Sequence, residues 1–246
     1  MRLKILVLLL LAFASSLASE PICTTTGKTA DSLIQALPHD SSTYAKIGIL
    51  YANMGFLNHA PNAQQTADSA VWYLGKALQF QPTPENRAYN CVARLLRVRE
   101  DNFWQKISGK TREKAELLFA ECDSLAKENP DNLTVQFLTA NLFTEANALS
   151  QKNYYWQRGL EIFQALSEYG RFENLFQPNP GENFFNAEVF ANILLNSAKL
   201  EFKLSDKDKT DLALARLKWQ AVICLFPVTL AATNAAKQLE KIKWCF

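Results

Sequence analysis

The sequence predicts an all-α protein, an array of helical hairpins closed at each end by a further helix. Two observations predict it. Glycine is scarce, eight in 246 residues, whereas strands and tight turns draw on it, and Leu, Ala, Lys, Glu and Gln, all good helix formers, dominate. Small and bulky apolar residues also recur at i, i+3, i+4 and i+7 between proline-bearing breaks, the spacing of one helix face.

The chain opens as a secretory signal peptide does. Arg2 and Lys4 form a positive start, Ile5 to Phe13 an apolar run of nine residues, and Ser16 and Ala18 place small residues where a signal peptidase needs them. The run is short of the ~20 residues that span a bilayer, so residues 1–18 read as a signal cleaved after Ala18. Glu20-Pro21-Ile22 before Cys23 makes a poor lipoprotein box. No later segment reads as membrane-spanning, because Pro227 interrupts the most apolar stretch, Ala221 to Ala232. Loss of Arg2 and Lys4 with the signal leaves 24 basic against 24 acidic residues. A neutral mature chain gives no reason to expect nucleic acid or an anionic surface as partner.

The repeats come next along the chain. Tyr44, Ile47, Gly48 and Tyr51 share a face of one helix, and Ala70, Leu74 and Ala77 mark a second, which Pro82 stops. This order (bulky, apolar, Gly, aromatic, then Ala, bulky, Ala, Pro) resembles the tetratricopeptide repeat. Small residues at Gly48, Ala70 and Ala77 let two helices approach closely. A second unit carries Ala88, Cys91, Val92 and Leu95, then Leu118, Cys122 and Leu125, and ends at Asn129-Pro130-Asp131-Asn132. A third has Gln136, Thr139, Ala140 and Phe143, then Gly159, Phe163 and Leu166. A fourth has Phe190, Ile193, Leu194 and Ser197, then Ala215, Trp219, Val222 and Pro227. The expected units are 41–82, 85–130, 133–170 and 187–227. Each departs from the ~34-residue standard by about 7 to 14 extra residues between its two helices. The resemblance therefore implies a tetratricopeptide-like α-solenoid of about four helical hairpins; an irregular helical bundle is the alternative.

The flanks suit such an array, whose end repeats need covering. Residues 19–40 form an arm with a short amphipathic helix, Lys28 to Leu37. Residues 228–246 form a C-terminal capping helix with Lys237, Lys241 and Lys243 near its end, where cations suit the helix dipole. A connector, residues 169–185, holds Phe172, Phe176 and Phe184 with two prolines and two glycines; it reads as a lid or as packing.

Five cysteines in an exported chain invite disulfides. Cys91 and Cys122 are equidistant from the expected turn, Glu100 to Arg112, of one antiparallel hairpin, which sets them at equal height. Two readings stay open: a disulfide, if the Cα atoms lie within ~7 Å, or two buried thiols. Cys224 and Cys245 are displaced along their helices by roughly 20 Å at ~1.5 Å per residue. Cys23 and Cys245 lie on terminal arms.

No catalytic, metal or cofactor pattern is present. His39 and His59 lie in expected loops without partners at ligand spacing, and neither Gly-x-Ser-x-Gly nor a glycine-rich phosphate loop occurs. Asp206, Asp208 and Asp211 lack a calcium loop's glycine and read as a charged turn, with Asp208 or Thr210 capping the next helix. The resemblance implies a groove lined by the first helix of each unit. Carried over, its positions are Asn53, then Asn86, Tyr89, Asn90 and Arg97, then Phe137, Asn141 and Glu145, then Asn192 and Lys199. Amides and aromatics suit an extended peptide or a polar organic solute; the alternative is the solvated face that any helix has. Trp104, Tyr154, Tyr155 and Trp156 cluster near the turns. The expectation is an exported, periplasmic or secreted, non-enzymatic scaffold of the bacterial envelope that binds a protein or peptide. The alternative is a solute-binding component associated with a transporter.

Overall fold

The computed structural model describes residues 40–56, 62–100, 109–169, 187–205 and 209–242. The signal segment, the Lys28–Leu37 helix, Cys23, His39, His59, Trp104, the aromatic connector after Tyr169, Asp206, Asp208, Lys243 and Cys245 lie outside the described residues.

The described residues are helical, as expected, and contain no strand. In order the α-helices are α1 (Ser41–Phe56), α2 (Ala63–Phe80), α3 (Pro84–Arg99), α4 (Lys110–Glu128), α5 (Leu133–Phe143), α6 (Lys152–Tyr169), α7 (Ala187–Leu204), α8 (Lys209–Leu225) and α9 (Leu230–Ile242), with a 3₁₀ turn at Ala146–Ala148.

Local chemistry explains the boundaries. A helix's first N–H groups lack intrahelical acceptors, and a short polar side chain just before the helix satisfies one of them. Asp40 Oδ1 accepts from Thr43 N at 2.7 Å, Asn62 Oδ1 from Gln65 N at 3.0 Å and Thr83 Oγ1 from Asn86 N at 3.2 Å. Asn132 Oδ1 does the same for Val135 at 3.1 Å, and Thr229 Oγ1 for Ala232 at 3.2 Å. Pro84 opens α3, where a missing N–H costs nothing. Gly109, at φ +77°, precedes α4 in the left-handed region that suits glycine. Pro130 follows α4 and cannot donate to the Ala126 carbonyl one turn back. Gln136 supplies the missing donor: its Nε2 reaches Ala126 O at 2.7 Å and Asn129 O at 2.9 Å.

The helices gather into two compact units. The described residues up to Leu142, with Ala146–Ser150, form the first; Phe143–Glu145 and the residues from Gln151 onward form the second. The expected third hairpin, 133–170, is thus shared between them. Val135 and Leu138 of α5 bury against Leu125 and Ala126 of α4 and Val92 and Leu96 of α3, whereas α6 packs on α7.

In the first unit α1 packs on α2, α2 on α3, α3 on α4, and α1 also on α3. Ala52, Ala70, Leu74 and Ala93 form the α1–α3 core. Gly48 lies so close to Leu74 that an added Cβ would stand 2.6 Å from Leu74 Cγ. Glu116 of α4 accepts from Ser150 N at 3.0 Å and Ser150 Oγ at 2.7 Å. These bonds and the Arg112 guanidinium hold its carboxyl down at about 2.

In the second unit α6 packs on α7, α7 on α8, α8 on α9, and α7 also on α9. The core is rich in alanine, with Ala191, Ala198, Ala215, Ala231, Ala232 and Ala235 around Trp219. The Trp219 ring is 1% exposed, and its Nε1 donates to Leu195 O at 3.2 Å, which lets the indole be buried without stranding a donor.

Candidate binding surfaces

Several side chains expected to line an open groove are engaged elsewhere. Asn86 is buried, and its Nδ2 donates to Gln81 O at 3.1 Å, fastening the α2–α3 connection. Asn141 is 3% exposed and donates to Phe137 O, one turn back, at 2.8 Å. Asn192 does the same to Glu188 O at 2.9 Å and also meets Glu188 Oε1 at 3.0 Å. A short amide on a helix can fold back onto the i−4 carbonyl, and this draws Asn141 and Asn192 away from a ligand role. Tyr89 packs against the α1–α3 core, and burial raises its hydroxyl above the ordinary value. Phe137 packs beside Val135 and Leu138. Arg97 is exposed and ion-paired with Asp68 of α2. Asn90 is half-buried; Asn53 and Glu145 are exposed.

In the second unit the polar face of α7 gathers charge. Asn192, Asn196, Lys199 and Lys203 follow at i, i+4, i+7 and i+11, a single helix face. Lys199 Nζ donates to Asn196 Oδ1 at 2.8 Å, and Lys203 Nζ to Thr144 O at 2.5 Å. Lys203 Nζ also lies 5.2 Å from the Trp156 ring centroid, and Lys152 Nζ 5.6 Å from it, within cation–π range. Both Lys199 and Lys203 are half-buried. Burial lowers both ammonium groups below the ordinary lysine value, and Glu145 opposes the shift. Lys203 and Lys241 press Lys199 further down. Trp156 is 9% exposed, and its buried Nε1 has no acceptor.

At the other end of the same face burial raises the Glu188 carboxyl, while Asn192 and the Leu230 and Ala231 N–H groups at the start of α9 stabilise its charge. That carboxylate serves the α9 N-terminus. Lys199 and Asn192 are among the positions expected from the sequence; Lys203, Asn196 and Glu188 are not. Polar residues at helical spacing in AEVFANILLNSAKLEFKL are the signal that could have found them.

A second surface lies in the first unit. The Tyr44 ring stacks on Phe80 with centroids 6.1 Å apart and planes 6° apart, and stands edge-on to Trp72 at 6.1 Å. Trp72 is 53% and Phe80 65% exposed. Lys76 Nζ lies 5.9 Å from the Trp72 ring centroid.

Cys91 and Cys122 meet across α3 and α4, as equal height in one hairpin requires. In this structure both are buried free thiols. The hydrogen bond that the Cys122 thiol donates to the Cys91 sulfur, together with burial, pushes the Cys122 thiol well above its usual value. Cys224 is free and exposed. Among the described residues no cluster of His, Cys, Asp and Glu is arranged to hold a metal, and no helix is long and apolar enough to cross a membrane. Compared with known proteins, the chain matches no family model, no curated protein sequence and no solved structure.

Proposed function

We propose that the chain is an exported, non-catalytic scaffold of tetratricopeptide-like hairpins that recruits a protein or peptide partner in the cell envelope. The hairpin reading draws support from the packing within each unit. Sequential helices pair, and alternate helices also touch, α1 with α3 and α7 with α9, the pattern expected when one hairpin stacks on the next. Export rests on the charged, apolar and small-residue order of residues 1–18.

The observation that carries partner binding is the exposed pair Trp72 and Phe80, joined by the half-buried Tyr44 ring between them. Two large rings left more than half in water are costly for a helix pair that otherwise buries its apolar side chains. Aromatic side chains are enriched at interfaces, where they act as anchors. The test is crosslinking of the purified mature chain in envelope extract, beside a Trp72→Ala/Phe80→Ala variant. A specific crosslinked protein, retained by wild type and lost by the variant, is expected. Identical crosslinks from both, or none from wild type, would refute the reading.

A further inference from the structure

The buried thiols of α3 and α4 have no part in the aromatic surface, and several contacts fix where they stand. At the exposed edge of this helix pair Arg87 meets Glu128 at 3.9 Å and Arg94 meets Glu121 at 2.7 Å. A step of seven residues along α3 is thus matched by a step of seven back along α4, the register of an antiparallel pair. Cys91 lies between Arg87 and Arg94, and Cys122 between Glu121 and Glu128, so the two cysteines sit between these rungs on the buried side. Cys91 is 0% and Cys122 2% exposed, and their sulfurs are within hydrogen-bonding reach. Burial alone would let each serve as a small apolar residue. Mutual alignment asks for more. Packed helix axes stand ~8–10 Å apart, whereas a disulfide needs Cα atoms within ~7 Å and Cβ atoms turned toward each other. Two cysteines at one height bring sulfur to sulfur only when both lean into the interface, as these do.

We propose that Cys91 and Cys122 form a disulfide that staples α3 to α4 in the exported chain. The compartment rests on the export reading above, since exported proteins meet an oxidising environment; the alignment of the two sulfurs does not. The oxidant is a disulfide, either glutathione disulfide or that of a thiol–disulfide exchange protein. One cysteine thiolate attacks it and displaces one of its sulfurs as a thiolate. The other cysteine, as a thiolate, attacks the mixed disulfide and displaces the second sulfur. The chain gives up two protons and two electrons, and the oxidant's disulfide becomes two thiols. Burial sets the order of events. Neither sulfur is open to a bulky oxidant once the hairpin has closed, so the bond forms while α3 and α4 come together and is shielded from reductants afterwards.

The test refolds the full mature chain in a glutathione redox buffer, quenches it in acid, blocks remaining thiols with N-ethylmaleimide under denaturing conditions and maps tryptic peptides by mass spectrometry. Residues 88–94, which hold Cys91, should be joined to residues 115–127, which hold Cys122. Refolding with dithiothreitol throughout should lower Tm by on the order of 10 °C, the loss of a closed loop of about 30 residues. Cys91→Ala/Cys122→Ala should show no such dependence on reductant; if that variant fails to fold, the wild-type map and melting pair decide alone. Peptides that stay separate and blocked, either one joined instead to residues 219–237 with Cys224, or a disulfide whose reduction leaves Tm unmoved would overturn the proposal. A second arm separates the bond from export. Residues 1–246, and the same chain without residues 1–18, are expressed in a bacterium and trapped in the same way. The pair should be oxidised in the first and reduced in the second. Loss of residues 1–18 with the pair still reduced would overturn the proposal. Retention of residues 1–18 with the pair reduced would sink the export reading instead, and the refolding arm then decides the disulfide.

Discussion

The closeness of α1 to the helices packed on it, α2 and α3, can be measured with three glycines. A Cβ at Gly48 would stand 2.6 Å from Leu74 Cγ, 3.0 Å from Leu74 N and 3.1 Å from Leu74 Cδ2. Carbon pairs rest at ~3.5–4.0 Å, so the overlap with Cγ is about 1 Å. Leu74 is fully buried, and neither a branch-point carbon nor a backbone nitrogen can swing aside. Alanine gains about 1 kcal/mol of helix propensity over glycine, against about 1–3 kcal/mol for overpacking a dense interface. Gly48→Ala should therefore lose up to about 2 kcal/mol net. Gly75 is the control, a helical glycine whose added Cβ meets nothing within 4 Å; Gly75→Ala should gain up to about 1 kcal/mol. Gly55→Ala should fall between, because its Cβ meets Leu96 Cδ1 of α3 at 2.8 Å, the end of a side chain that can turn aside more readily than a branch point or backbone. Urea unfolding at constant slope reads the series. With slopes of ~1–3 kcal/mol/M, the Gly48 and Gly75 variants should differ in midpoint by on the order of 1 M. A Gly48→Ala chain as stable as the Gly75→Ala chain would refute close approach as the role of this glycine.

Three further outcomes are expected. Gln136→Leu removes the side chain that replaces the absent Pro130 N–H at Ala126 O, and stranding that carbonyl should cost about 1–3 kcal/mol in the same unfolding assay. The folded Glu116 carboxyl lies at about 2, below its ordinary 4.5, so its stabilisation is complete above about 4.5 and lost as pH falls toward 2. Wild type should exceed Glu116→Gln in thermal stability at neutral pH, with the gap closing through that window; a gap independent of pH would contradict the assignment. Under reducing conditions iodoacetamide should modify Cys224 of the native chain well before Cys91 or Cys122, because the latter two are buried and the thiolate is the reactive form. Peptide mass spectrometry reads the order, and equal rates at all three would argue against the buried pair.

Helical class and helix ends were present in the sequence itself. Asp40, Asn62, Thr83, Asn132 and Thr229 act on N–H groups three residues away, and proline acts through its own missing donor. Such effects span a single turn and are readable in a short window. The pairing of Cys91 with Cys122 was also within reach, since hairpin symmetry alone sets their height. Tertiary structure decided the rest. It placed α5 with one compact unit and α6 with the other, and it folded Asn141 and Asn192 back onto their own helices. It joined Lys203 to Thr144, 59 residues away in the chain. In the sequence that lysine is one more cation in a helix's last turn. Whether it is solvated or withdrawn from water depends on which distant backbone lies over it, and no local pattern encodes that.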